Sequence, residues 1–439
     1  MWDLKIDTRR LVEGFSTSVL WDRPNILWNK ADDWWNDNYV TDSNTAAFLS
    51  ATGIIDPNKQ NYVNNLVIAL KNQGLWNKMK AIYPFISEQR NYLNYTEDFS
   101  NSYWTKAQLT FTVGQSDALG GNNATQCVGN SATNAYIYGS CSTVVGETYT
   151  ASVYIKGDVA GSVSFRVDSG GSSPSNPINY TTSWQRFTYT YVAGNTNSDW
   201  VIGGYNTWTG SETIYIYAPQ LDLGSTATAY QVTINAQEQF AAAYKYNLKD
   251  PQDTDAAFRL KIFGTWTFSP TGATPNGTNA YMDTGYNVNT EGLLDSAHMS
   301  AYIRQNIAGQ AQMGCYTSFT NAHYLYARFT DNLPYIAINA AEVIGAASNA
   351  QAFWIGSRIN STVQKLYRNN STVINSSTTT TLKIPRNIYI GAANGATVLY
   401  GNTQTAFNSI GDGLTDAEAA AFYTIVQQFQ TSMNRQINP

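Results

Sequence analysis

The chain has 439 residues, of which 43% are hydrophobic and 13% charged, with a net charge of −5; that length has room for two or three domain cores. Its polar residues are mostly Asn, Thr, Ser and Gly, and with 30 Tyr and 12 Trp beside them the composition favours strands and turns over helices. Lys and Arg form no stripe that would neutralise phosphates, and no apolar run approaches the roughly 20 residues of a membrane span, so neither nucleic acid nor a membrane is an expected partner.

Residues 1–50 come first and stand apart. They hold Trp2, Trp21, Trp28, Trp34 and Trp35, and the opening "MWDLKIDTRRLVEG" lacks the apolar core of a secretory signal. So short a segment cannot build its own core. Aromatics dominate buried interface patches, so the stretch reads as an arm that docks into a partner, with packing back on its own chain as the alternative. Residues 56–80 then read as an amphipathic helix. Asp56 suits the cap and Pro57 the first position, Val63, Leu66, Val67 and Leu70 recur at helical spacing, and Gly74 ends or bends it. "AIYPFI" leaves this helix as an extended segment.

From 91 to 232 the pattern changes to short alternating segments. "ETYTASVYIKG" (147–157), "GSVSFRVDSG" (161–170), "WQRFTYTYVAG" (184–194) and "ETIYIYAPQLDLG" (212–224) have strand period, with Gly, Ser and Asn between them. Strands of this length and spacing make an antiparallel sandwich. Cys127 and Cys141 read first as small buried thiols and second as a bridge across one hairpin. From about 238 a second set of strands follows, at 298–307, 323–331, 333–340, 351–359, 363–371 and 386–394. The chain closes on a helix with a Thr415–Glu418 capping box and an apolar stripe of Phe422, Ile425, Val426 and Phe429.

The middle block is flanked by two fragments, "MKAIYPFI" and "FAAAYKYNLKDP", each an orphan by itself. Together they describe one sandwich interrupted by another, which loops tolerate because domain termini lie close together at the surface. The expected organisation is an arm at 1–50, a sandwich built from 51–87 with 235–439, and an inserted domain at 88–234. The fold class is mainly β, two antiparallel sandwiches with a short arm and flanking helices.

Chemistry-bearing residues are sparse. The two histidines, His298 and His323, each begin a strand pattern without an acid, Cys or His cluster around them. No closely spaced pair of acids along one strand suits glycoside hydrolysis. No catalytic residue and no metal ligand set is therefore expected. "DPQDTDAAF" holds Asp250, Asp253 and Asp255; Asp250 or Asp253 reads as the cap of a short helical turn, with a structural calcium as the alternative. Glycan binding needs aromatic faces beside amides or carboxylates. "NSDWVIGGYNTWTGSET" offers Trp200, Tyr205 and Trp208 with Asn197 and Asn206 in what reads as a loop between strands, although Trp200 and Trp208 could instead seal the sandwich core. Tyr136 and Tyr138 point to one side of a strand and Ile137 to the other. Tyr324 and Tyr326 likewise share a face opposite His323, Leu325 and Ala327, while Arg328 and Arg368 read as solvent-side or subunit-contact residues.

"NYLNYTEDFSNSYWTKAQLTF", "GETYTASVYIKG", "WQRFTYTYVAG" and "IYIYAPQLDLGSTATAY" resemble the carbohydrate-binding-like jelly-roll modules of bacteriophage virion proteins, over about 93–231. "MKAIYPF", "YKYNLKDPQDTDAAFRLKIFG", "PNGTNAYMDTGYN", "YIGAAN" and the last helix resemble a concanavalin A-like, laminin G-like domain of structural and fibre proteins of tailed phages, particularly the crAss-like phages and others that infect Bacteroidetes. In those relatives "YPF" leads almost directly into "LKDP", in agreement with an insertion. The resemblance implies a virion surface appendage, assembled in the host cytoplasm. It would be a head fibre or decoration protein, attached to capsid or other virion proteins through residues 1–50, and a homotrimer with a dimer as the alternative. It implies lectin-like domains that bind glycans, a concave face that Tyr138 can line, and room for structural calcium. A tail fibre or receptor-binding adhesin is the second reading, and a glycan depolymerase or a secreted bacterial lectin a more distant one.

Overall fold

The structure, a computed structural model, describes residues 41–437 apart from 131–134, 172–175, 205–207, 209–211, 310 and 348. The five expected anchoring tryptophans, Trp2, Trp21, Trp28, Trp34 and Trp35, lie outside the described residues.

The strand Met79–Tyr83 pairs with Thr405–Gly411 near the other end of the chain, Ala81 opposite Ile410 and Tyr83 opposite Asn408. It belongs to an eight-stranded sheet whose other strands all follow residue 265, and this sheet faces one of nine strands. Met282, Met299, Trp354 and Ile390 are among the side chains that fill the space between them. Helices cover the outside of the eight-stranded sheet. They are α1 (Ser43–Thr52), α2 (Pro57–Asn72) and, at the end of the chain, a long helix Asp416–Ser432. Phe353, Phe407, Phe422 and Phe429 meet in this second layer. The strand Ala352–Asn360 accordingly has no polar alternation: Trp354 enters the core between the sheets, while Phe353 and Ile355 enter the helical layer.

Local chemistry explains the helix ends. Asp56 accepts hydrogen bonds from the backbone N–H of Asn58 and Lys59, and Pro57 fills the first position of α2. Gly74, at φ +68°, turns the chain just after α2. The final helix has the reciprocal Thr415–Glu418 capping box. Two boundaries differ from expectation. Residues 43–50 are not part of an arm: they lie in α1, and Phe48 is buried against the core of α2. "EQFAAAYKY" is not a sandwich fragment but helix α3 (Ala236–Tyr244), capped by Asn235 through Glu238 N–H, with Phe240, Ala243 and Tyr244 buried.

Residues 105–223 form two five-stranded antiparallel sheets of their own. One contains, in spatial order, Thr105–Ala107, Tyr136–Ser142, Asn197–Gly203, Gly161–Ser169 and Pro177–Tyr180; the other Leu109–Gln115, Ala124–Gly129, Thr213–Leu223, Thr148–Gly157 and Gln185–Val192. Among the described residues no strand of this pair hydrogen-bonds to a strand of the larger sandwich. The chain enters and leaves it side by side: Tyr95 N–H donates to Ile234 O and Thr96 N–H to Thr233 O, both at 3.0 Å. Gln239 of α3 ties the entry down by accepting from Arg90 N–H (3.2 Å) and donating to Asn91 O (2.8 Å). Just before this point Arg435 is buried whole. Its guanidinium donates to Pro84 O, Phe85 O and Ala406 O at 2.6, 2.7 and 3.2 Å, and burial lowers its pKa to about 10. Cys127 and Cys141 are free and lie in opposite sheets, so the hairpin bridge does not form; burial pushes both thiols up to about 12.

Candidate functional site

The segment 197–210, expected as a loop, begins with the central strand Asn197–Gly203. That strand alternates, and the alternation decides the fate of its aromatic. Trp200 and Ile202 face inward with Ile137 and Phe165. Trp200 is 0% exposed and wedged edge-on against Trp104 and Phe165, each with its ring centroid 5.5 Å away. Trp208 is 1% exposed, and its indole N–H donates to Glu212 O at 3.1 Å. Neither ring offers a face to a ligand. Both therefore belong to the core, which corrects the expectation that they form the binding platform. Asn197 is exposed at the start of the strand, and Tyr205 and Asn206 lie outside the described residues.

The opposite face of the same sheet carries a different set. Tyr136, Tyr138 and Ser140 project outward from Tyr136–Ser142, while Ile137, Gly139 and Cys141 turn inward. Asp199 and Val201 project from the neighbouring strand, and Ser164, Arg166 and Asp168 from the one beyond. Tyr136 and Tyr138 are half-buried, with centroids 6.1 Å apart and planes tilted by 33°. Beside them lies a polar floor. Asp199 accepts from Ser140 Oγ at 2.5 Å. Arg166 donates to both oxygens of Asp168, at 2.8 and 3.2 Å, and to Gly203 O at 2.6 Å.

Asp168 and Asp199 are directly opposite in register. Like charges in that arrangement are unfavourable unless cations or donors occupy them. Arg166 and Ser140 supply part of that, and the hydroxyls of a ligand can supply the rest. The arrangement thus offers two phenol rings for an apolar ring face and two carboxylates that accept from hydroxyls. Spacing in the sequence did place Tyr136 and Tyr138 on one face. Arg166, Asp168 and Asp199 could have been found from the same alternation, since "SFRVDS" and "SDWVI" put charged and apolar residues on opposite sides.

The other candidates are structural. His298 donates from Nδ1 to Asp412 O at 2.7 Å and accepts at Nε2 from Ser409 Oγ at 3.0 Å; His323 donates from Nδ1 to Asn339 Oδ1 at 3.0 Å. Burial lowers the pKa of both to about 4. Tyr324 and Tyr326 are buried in a small aromatic cluster on the outer face of the nine-stranded sheet, and His323 and Leu325 lie on its other side. Asp253 pairs with Lys245 and Arg259, and Asp255 with Arg259 and Lys261, so side-chain cations already occupy the oxygens a calcium ion would need. The short turn Asp255–Ala257 follows Thr254 without a side-chain cap, which corrects the capping role expected of Asp250 or Asp253. Among the described residues no three His, Cys, Asp or Glu side chains are grouped to hold a metal, and no helix is long and apolar enough to cross a membrane.

No protein-family model matches the sequence, and no curated protein matches it. Several solved structures are similar to part of the chain. A carbohydrate-binding module in complex with beta-1,4-galactotriose shares 15% identity over 31% of this chain and 100% of its own, with a TM-score of 0.25. A family 29 carbohydrate-binding module complexed with cellulohexaose shares 7% over 32% and 96%, at 0.23. The enzymatically active domain of tailspike protein 4 from bacteriophage CBA120 shares 15% over 30% and 21%, at 0.24. At these values the ligand of this chain has to be argued from its own site.

Proposed function

We propose that the smaller sandwich binds glycan chains on the outer face formed by Tyr136, Tyr138, Ser140, Arg166, Asp168 and Asp199. The observation that carries the reading is the pairing of two outward tyrosines with a polar floor whose facing carboxylates are only partly occupied by protein donors. The ligand this chemistry suits is a neutral, hydroxyl-rich sugar, because an acidic one would meet Asp168 and Asp199. Binding without hydrolysis is the activity proposed. Asp168 is committed to a fork of two hydrogen bonds from Arg166, which orients it as an acceptor.

The resemblance of both sandwiches to phage virion modules supports placing this activity on a virion appendage. It would be a head fibre or decoration protein, trimeric, and attached to capsid proteins through the tryptophan-rich residues at the N-terminal end. Each subunit would then hold a weak site, and many copies on one particle would raise the avidity. A glycan array probed with the full chain and with Tyr138→Ala tests the binding. Signal on neutral glycans that falls in the variant supports it, and equal signal from both sinks this choice of face. Labelling of intact particles with an antibody against the chain tests the location.

A further inference from the structure

The chain passes from the larger sandwich to the smaller at residues 87–92, and a cleft of about 410 Å³ opens beside the crossing. The start of α2 forms one wall, with Asp56 and Lys59, and the turn after Thr213–Leu223 forms the other, with Ser225 and Thr226. Glu88 and Arg90 come from the crossing itself. The size falls within the range of small-molecule sites, which concentrate where two domains meet.

The charges in this cleft are unequally satisfied. Glu88 Oε2 accepts from Ile55 N–H at 2.7 Å and Asp56 N–H at 2.9 Å. Asp56 is used as the cap of α2. Asp222 accepts from Gln220 Nε2 at 2.8 Å and from Thr228 Oγ1 at 2.7 Å. Every carboxylate is therefore engaged by neutral donors of the protein, and none pairs with either cation of the cleft. Lys59 gives one hydrogen bond, to Ser87 O at 3.0 Å. Among the described residues the Arg90 guanidinium has no hydrogen-bond or ion-pair partner, and its Nε is shut off from solvent without an acceptor. A guanidinium carries five donors in a rigid plane; here the Nε is buried without an acceptor, which is costly, and the two terminal nitrogens are left to meet a ligand or water. Carboxylate and phosphate oxygens are the acceptors whose geometry fits that fork.

We propose that this cleft is a second ligand site, separate from the sheet face, which takes the oxyanion of a small hydroxylated molecule. The anion sits on Arg90 and Lys59, and the hydroxyls of the ligand meet Ser225 and Thr226. Three carboxylates, each held by neutral donors of the protein, outnumber the two cations of the cleft, so attraction is local to Arg90 and Lys59 and a single negative charge is favoured over two. A sugar acid fits better than a sugar phosphate.

Calorimetric titration of the full chain with glucuronate, glucose 6-phosphate and glucose tests this. The expected result is binding of glucuronate, weaker binding of the phosphate and none of glucose at this site. Arg90→Ala should weaken glucuronate by about tenfold or more, and Arg90→Lys should recover part of the loss. The melting temperature of Arg90→Ala should stay near that of the unaltered chain, since the guanidinium has no hydrogen-bond partner among the described residues. Ser225→Ala, in an exposed turn, should also weaken glucuronate, and Tyr138→Ala should not. Tighter binding of the phosphate would assign the oxyanion to phosphate chemistry within the same site. No binding of either anion, undiminished binding by Arg90→Ala, or loss on Tyr138→Ala would overturn the proposal.

Discussion

The two sandwiches treat the second face of a sheet differently. In the larger one the eight-stranded sheet is buried on both sides, and three helices close its outer face with a layer of phenylalanines. In the smaller one no helix among the described residues covers either sheet, and the outward positions include Tyr, Thr, Ser, Arg and Asp. A covered sheet is committed to support, whereas an uncovered one keeps its side chains available for recognition. The outer face of the nine-stranded sheet lies between these cases. Phe263, Tyr281 and Tyr389 are exposed in part, but they stack on one another at 4.8 and 4.3 Å. Tyr281 has both ring faces taken by its two neighbours, which suits stiffening of the sheet more than stacking on a sugar.

If this division holds, the two bodies should fail separately. The largest effect is expected from Arg435→Ala. It would strand three carbonyl groups in the larger sandwich and cost roughly 3–5 kcal/mol there. Scanning calorimetry should show that transition falling while the one from the smaller sandwich holds its place; a single merged transition that falls as a whole would mean that the bodies are not independent. Trp200→Ala should do the converse, costing the smaller sandwich about 3–5 kcal/mol. Loss of glycan binding by this variant should follow the melting of the smaller sandwich and not precede it.

Acid separates the two more gently. The only histidines of the chain, His298 and His323, both lie in the larger sandwich, and both have pKa values lowered to about 4 by burial. Below the unfolded value of about 6.5 the unfolded chain binds protons that the folded one refuses. Their contribution is thus complete above about pH 6.5 and is lost as pH falls towards 4. In the smaller sandwich burial raises the pKa of Asp222 and Glu97, so acid relieves a strain there, and Asp117, lowered by its backbone hydrogen bonds against the effect of burial, offsets part of this. The larger sandwich should therefore lose more of its melting temperature between pH 6.5 and 4. Replacing both histidines by Gln should narrow that gap. The smallest effect on stability is expected from Tyr138→Ala, about 1 kcal/mol or less, together with a clear loss of glycan signal.

Much of this architecture is legible in the sequence where physics repeats itself. Strands such as Thr148–Gly157 announce themselves because Ala151, Val153 and Ile155 alternate with polar or outward residues. The capping box of the final helix is legible because its two residues sit three apart. Helix α3 is not, since its nine residues make only about two and a half turns, too few for a repeating apolar stripe to show. Trp200 misled because Gly and Asn surround it, although Ser198, Trp200 and Ile202 already shared one parity. The polar floor was hidden for another reason. Asp168 and Asp199 meet only through strand pairing, and nothing in their separation along the chain encodes that register.

The pairing of Met79–Tyr83 with Thr405–Gly411 also sets a timetable for synthesis. The first strand of the larger sandwich leaves the ribosome about 330 residues before its partner, which at 5–20 residues per second is a wait of roughly 15–65 s. The smaller sandwich closes on contacts made within its own stretch and can fold during that interval. The nascent chain therefore has to carry helices α1 and α2 with their apolar stripes uncovered while a finished domain hangs between them and the sheet they await. That makes the early apolar segment, and not the smaller sandwich, the part most dependent on protection from aggregation until translation ends.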